Sequence, residues 1–114
     1  MTVDPKGTKD LLYQDLSDED VEKWTTQLRP QSIGVYWSTT TYAAWRHIPT
    51  TYVVCKKDVP STVAAAEWLL KNVQDAGNHK IETVVTRDVG HSLFLSQAAW
   101  TVSMLREAAG EKLE

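Results

Sequence analysis

Two side chains in this sequence combine the residue types and the placing that acid–base chemistry requires: Asp58 and His91. Each closes a segment that begins as a short apolar run. Thr51-Tyr52-Val53-Val54-Cys55-Lys56-Lys57-Asp58 ends in a carboxylate, and Ile81-Glu82-Thr83-Val84-Val85-Thr86-Arg87-Asp88-Val89-Gly90-His91 ends in an imidazole behind a glycine. A carboxylate held against one ring nitrogen of a histidine fixes the tautomer and leaves the other nitrogen as a base. Plainer readings stand beside this one. Asp58 could cap a helix opening near Ser61, since carboxylates suit helix N-termini, and His91 could merely cap a loop. Asp88, three residues before His91, is an alternative carboxylate, read here as a solvated turn residue.

No nucleophile accompanies the pair. Gly-x-Ser-x-Gly does not occur, and Ser38, Ser92 and Ser96 lack the small neighbours that a strained strand-to-helix elbow requires. Cys55 lies inside an apolar strand, the opposite of the exposed, low-pKa setting of a reactive thiol. It reads as a small buried hydrophobe. Tyr36, Trp37, Tyr42 and Trp45 form an aromatic segment that packs a core or lines a pocket, and Tyr42 could donate a hydrogen bond to a substrate oxygen. His47 and His79 fall in loops and are expected at the surface. No His, Cys, Asp or Glu pair has metal-ligand spacing, so no metal site is expected. No glycine-rich phosphate loop occurs either, and no cofactor is expected.

Composition narrows the function classes. A chain of 114 residues, 42% hydrophobic and 24% charged, is expected to form one small domain. The net charge of −3, with no Lys/Arg cluster, argues against a nucleic-acid surface. No apolar run approaches the roughly 20 residues that span a bilayer. The polar opening from Met1 to Asp10 does not read as a signal peptide, and the single cysteine excludes an intrachain disulfide. A reducing, cytoplasmic location is the expectation.

The elements that must position Asp58 and His91 read as follows. Residues 1–14 form a loose arm with Pro5 and Gly7. Residues 15–49 form a helical, cap-like segment, whose helix starts at Ser17 as N-cap with Asp20 three residues on and runs to Pro30. Residues 50–114 form a strand–helix–strand–helix unit. Its first strand is Thr51–Cys55, its first helix opens at Pro60-Ser61 and stops at Gly77, its second strand is Lys80–Thr86, and Ser96 caps the last helix before Gly110. The fold class is α/β with two parallel strands, whose ends place Asp58 and His91 on one edge. Two strands make a poor sheet, and an unpaired edge invites another strand. Homodimerisation through that edge is therefore expected.

The stretches Leu12-Tyr13-Gln14-Asp15-Leu16, Thr41-Tyr42-Ala43-Ala44-Trp45-Arg46-His47-Ile48-Pro49, Thr51 to Asp58, and Gly90-His91-Ser92-Leu93-Phe94-Leu95-Ser96 resemble the α/β-hydrolase fold family. The likeness is to fungal members of the branch holding plant-type methylesterases and hydroxynitrile lyases, and it runs from about residue 11 to residue 110. It implies that the early stretches belong to a cap over the active site, that Asp58 is the triad acid and that His91 is the triad base. It also makes Tyr36, Trp37, Tyr42, Trp45 and Phe94 candidates for contact with a substrate. Family members run in the order Ser, acid, His. The nucleophile elbow and the oxyanion-hole loop have no counterpart in this sequence, and Pro60 follows the acid by only two residues. The chain thus looks like a truncated hydrolase, its cap and C-terminal half.

Three functions follow as expectations. The first is an Asp–His enzyme acting on a hydrophobic small molecule by cyclisation, isomerisation, dehydration or lyase chemistry, of a kind suited to secondary metabolism. The second is a non-catalytic binding module. The third is a hydrolase fragment that needs a nucleophile-bearing partner chain, against which Met1 with its own arm and the stop past Gly110 read as a self-sufficient chain.

Overall fold

A computed structural model describes residues 4–112, so the first three residues of the expected arm and the last two of the C-terminal unit lie outside it. Helices α1 (Thr8–Leu11) and α2 (Asp18–Thr25) are followed by strand β1 (Thr50–Cys55), helix α3 (Val63–Ala76), strand β2 (Ile81–Arg87) and helices α4 (Leu93–Ser96) and α5 (Ala98–Ala108). The unit is α/β, with β1 and β2 pairing in parallel as a two-stranded sheet, consistent with a truncated α/β-hydrolase unit.

Local chemistry explains most boundaries. The Ser17 hydroxyl accepts the Asp20 N–H at 3.2 Å, and three acidic residues occupy the first turn of α2. Gly77 ends α3 with φ +69°, the left-handed conformation that glycine adopts without penalty. Along β1, Tyr52 and Val54 face α3 and pack with Val63, Ala66, Leu70 and Ile81. That alternation of period two is what places one face of a strand in a core.

Four expectations are corrected. Residues 5–11 are not a loose arm: a 3-10 turn, Pro5–Gly7, runs into α1. Thr8, fully buried, donates to the Pro5 carbonyl at 2.7 Å and meets the Thr25 hydroxyl at 2.9 Å, tying this segment to α2. Helix α2 stops at Thr25 rather than reaching Pro30. Two successive β-branched threonines are poor helix formers, and Thr26 folds its hydroxyl back onto the Lys23 carbonyl at 2.7 Å. Helix α3 begins at Val63 with Thr62 as its cap, its hydroxyl accepting the Ala65 N–H at 3.3 Å, because the Ser61 N–H is already held by Asp58. Ser96 caps nothing; it ends α4, and its buried hydroxyl has no partner among the described residues.

The core is thin. The radius of gyration is 16.1 Å, against about 13 Å for a compact chain of this size. Trp68 on α3 (71% exposed), Val84 on β2, and Val102 and Leu105 on α5 all face outward. No helix among the described residues is long and apolar enough to cross a membrane.

Candidate active site

The parallel register pairs Cys55 with Arg87 at the ends of the two strands. The ladder then continues into the loops. Lys56 N–H donates to the Arg87 carbonyl at 2.8 Å and Lys57 N–H to the Val89 carbonyl at 2.9 Å. Asp58 is the next residue on one loop, and His91 lies two past Val89 on the other. Val89, 1% exposed, pins its loop to the body of the unit.

The two side chains meet. His91 Nδ1 lies 3.0 Å from both Asp58 Oδ1 and Asp58 Oδ2. The carboxylate side chain is 10% exposed and the imidazole 37% exposed. Asp58 Oδ1 also accepts the Ser61 N–H at 2.9 Å. The two readings of Asp58 therefore hold together, since the carboxylate fixes the turn before α3 and receives the imidazole. With Nδ1–H donating to the carboxylate, Nε2 keeps its lone pair and can accept a proton. No partner holds Nε2 among the described residues. Asp88 instead pairs with Lys57 at 3.2 Å on the surface.

A groove of about 780 Å³ opens beside the imidazole. Its apolar walls include Leu11, Leu12, Leu28 and Tyr36, and its lining also holds Arg29 and His91. Arg29 Nη1 donates to the carbonyls of Thr26 (3.2 Å) and Leu28 (3.1 Å), which orients the guanidinium. Among the candidate contact residues, only Tyr36 reaches this lining. Trp37 is 81% exposed, Tyr42 stacks on His47 with ring centroids 5.2 Å apart, Trp45 lies under Arg46, and Phe94 faces outward. His47 is exposed as expected; His79 is half-buried, its Nδ1 accepting the Ile81 N–H at 3.1 Å.

Sequence reasoning missed Gln14 and Asp15. The Gly90 N–H donates to Asp15 Oδ2, and the His91 N–H donates to Gln14 Oε1 at 3.1 Å. Gly90 is buried there, and a Cβ on it would lie 2.5 Å from Gln14 Oε1, so any larger residue would displace the Gln14 carboxamide from this contact. The available signal was the Gly90-His91 dipeptide itself, because a glycine beside a functional loop often marks close contact with another segment.

Nothing among the described serines resembles an elbow. No non-glycine residue among them takes a positive φ, and Ser38, exposed, donates to the Gly34 carbonyl at 3.0 Å. Cys55 is half-buried, and burial pushes its thiol pKa up, with Asp58 and Asp15 adding to the rise. A thiol so placed holds its proton and is a poor nucleophile. No group of three or more potential metal ligands occurs among the described residues.

A carboxylate and an imidazole thus lie past the ends of two adjacent parallel strands, beside an apolar groove. Residues 3–104 match the alpha/beta hydrolase family, and the chain belongs to that family. Among its relatives is an alpha/beta hydrolase, nvfD, of the fungus Aspergillus novofumigatus, 30% identical over 112 residues. That alignment covers 98% of this chain but 43% of the relative, so the chain spans less than half the length of the curated relative it matches. No solved structure matches the chain.

Proposed function

We propose that this chain is a small α/β-hydrolase-like enzyme whose Asp58–His91 pair performs acid–base chemistry on a hydrophobic small molecule seated in the groove. Asp58 orients the ring, and His91 Nε2 removes a proton alpha to a carbonyl or activates water. Cyclisation, isomerisation, dehydration or elimination would all use such a base, and all suit fungal secondary metabolism. The observation carrying this reading is His91 Nδ1 at 3.0 Å from both Asp58 oxygens while the same imidazole lines an apolar groove. Positioned acid–base groups contribute typically about 10²–10⁴-fold. That suffices for an activated carbonyl compound and falls short for amide hydrolysis. Among the described residues, the groove lining holds one guanidinium and no carboxylate, which favours an apolar molecule with an electron-rich oxygen at the Arg29 end. The test is turnover of apolar β-dicarbonyl compounds and activated esters by the purified chain and by His91→Ala. Equal rates from the two proteins would sink the proposal.

A second reading rests on the sheet. Both outer edges of the two-stranded sheet lack a strand partner among the described residues, and unpaired edges are templates for further strands. A second copy of this chain, or a nucleophile-bearing chain, would complete the sheet. A discrete dimer in light scattering, melting cooperatively, supports the second copy; a polydisperse, non-cooperative sample supports the need for a different chain.

A further inference from the structure

We propose that Gln14 and Asp15 are positioning residues for His91, holding the backbone of its loop as Asp58 holds its ring. This rests on the Asp58–His91 reading. Two successive N–H groups, those of Gly90 and His91, are taken by side chains more than 70 residues away in sequence, one by the Asp15 carboxylate and one by Gln14 Oε1. The other end of the Gln14 carboxamide donates to the carbonyls of Asp10 (3.0 Å) and Leu11 (2.9 Å). Both ends of that group are therefore used, and its orientation is fixed by the network.

The consequence for the imidazole is geometric. Capturing both N–H groups sets the backbone at Gly90 and His91, and with it the direction in which the His91 side chain leaves the loop. A ring nitrogen placed equally far from two carboxylate oxygens tolerates little rotation before one contact lengthens beyond hydrogen-bond range. The same short segment also reaches the ligand side, since Leu11 and Leu12 line the groove. The titratable groups gathered here are Asp58 on the ring, Asp15 on the loop and the Cys55 thiol, which feels both carboxylates.

Imidazole ¹⁵N chemical shifts, recorded on the full chain at a pH where the ring is neutral, report the tautomer directly. Wild type is expected to show the Nδ1–H form. Asp15→Ala and Gln14→Ala are expected to give a mixture of the two tautomers, whereas Asp15→Asn, which keeps an acceptor oxygen, retains the wild-type form. Leu70→Val, a core change remote from the loop, serves as the control for general loosening and should leave the tautomer alone. Retention of the wild-type tautomer in both alanine variants overturns the positioning role while leaving the Asp58–His91 pair intact. Should Asp15→Ala fail to fold, Gln14→Ala alone decides. A wild-type ring without the Nδ1–H preference removes the pair itself, and the positioning role with it.

Discussion

The backbone N–H of Lys57 donates to the carbonyl of Val89 across 2.9 Å, two residues beyond the last paired residue of each strand. This bond aligns the loops before any side chain is considered. The strand pairing offsets residues by 32 (Cys55 with Arg87), and Asp58 and His91 differ by 33. The single added residue lets Gly90 pass close under Gln14 before the imidazole turns toward the carboxylate.

Asp58→Asn keeps an oxygen for the Ser61 N–H but removes the charge that orders the imidazole. We expect turnover of groove ligands to fall by about 10²–10⁴-fold, while the melting curve shifts by no more than about 1 kcal/mol of stability, the ordinary net worth of one hydrogen bond. Assay and urea melt on the same preparation check both halves. A collapse of stability with no specific loss of turnover would make Asp58 a turn-forming residue only.

The core gives a sharper contrast. Leu70 is buried against Val54 and Ala66, so Leu70→Ala should cost about 2–5 kcal/mol. Trp68, two positions earlier on the same helix, is exposed, and Trp68→Ala should stay within about 0.5 kcal/mol. Urea midpoints of the two variants at equal concentration decide it. If Trp68→Ala proves the costlier change, the outer face of α3 is covered in solution.

What was legible in the sequence follows from range. The two strands, the Ser17 cap and the Gly77 stop depend on neighbours within a few residues: a short β-branched apolar run marks the first strand, and residue type marks the cap and the stop. Asp58 and His91 were legible because each lies just past a strand, where parallel pairing brings such residues together. The Gln14–Asp15 contact was not, because it joins residues more than 70 apart through a polar pair that carries no periodic signal. The groove was legible only in part: of the aromatic segment 36–45, Tyr36 lines it while Trp37 and Tyr42 are exposed, and Leu11 and Leu12 from the presumed arm also line it.

Alkaline pH should weaken the fold. Burial raises the pKa of both the Cys55 thiol and the Tyr13 phenol above their ordinary values. Both groups are neutral when protonated, and the folded chain holds the proton more tightly than the unfolded one. Their contribution is therefore fully present below the unfolded values, about 8.5 for a thiol and about 10 for a phenol. It is lost as pH rises through the folded values. Urea midpoints should decline from about pH 8.5 upward in wild type, and Cys55→Ala should delay the onset toward the phenol range. A profile flat to pH 11 would contradict this.

Arg29 offers the most direct probe of what the groove accepts. Its Nη1 is committed to the Thr26 and Leu28 carbonyls, which leaves the rest of the fork to meet a ligand. Guanidinium forks favour carboxylates and other anionic oxygens. An apolar carboxylate such as naphthoate should therefore bind more tightly than the matching alcohol. One charge-assisted hydrogen bond, worth about 1.5–3 kcal/mol, corresponds to roughly 10–150-fold in Kd. Arg29→Gln should abolish that preference while leaving affinity for the alcohol unchanged, because the apolar walls remain. Titration calorimetry with the two ligands and the two proteins makes the comparison. Equal binding of acid and alcohol to wild type would leave the groove purely apolar and remove Arg29 from substrate selection, and a variant that lost both ligands would show that Arg29 supports the groove's shape instead.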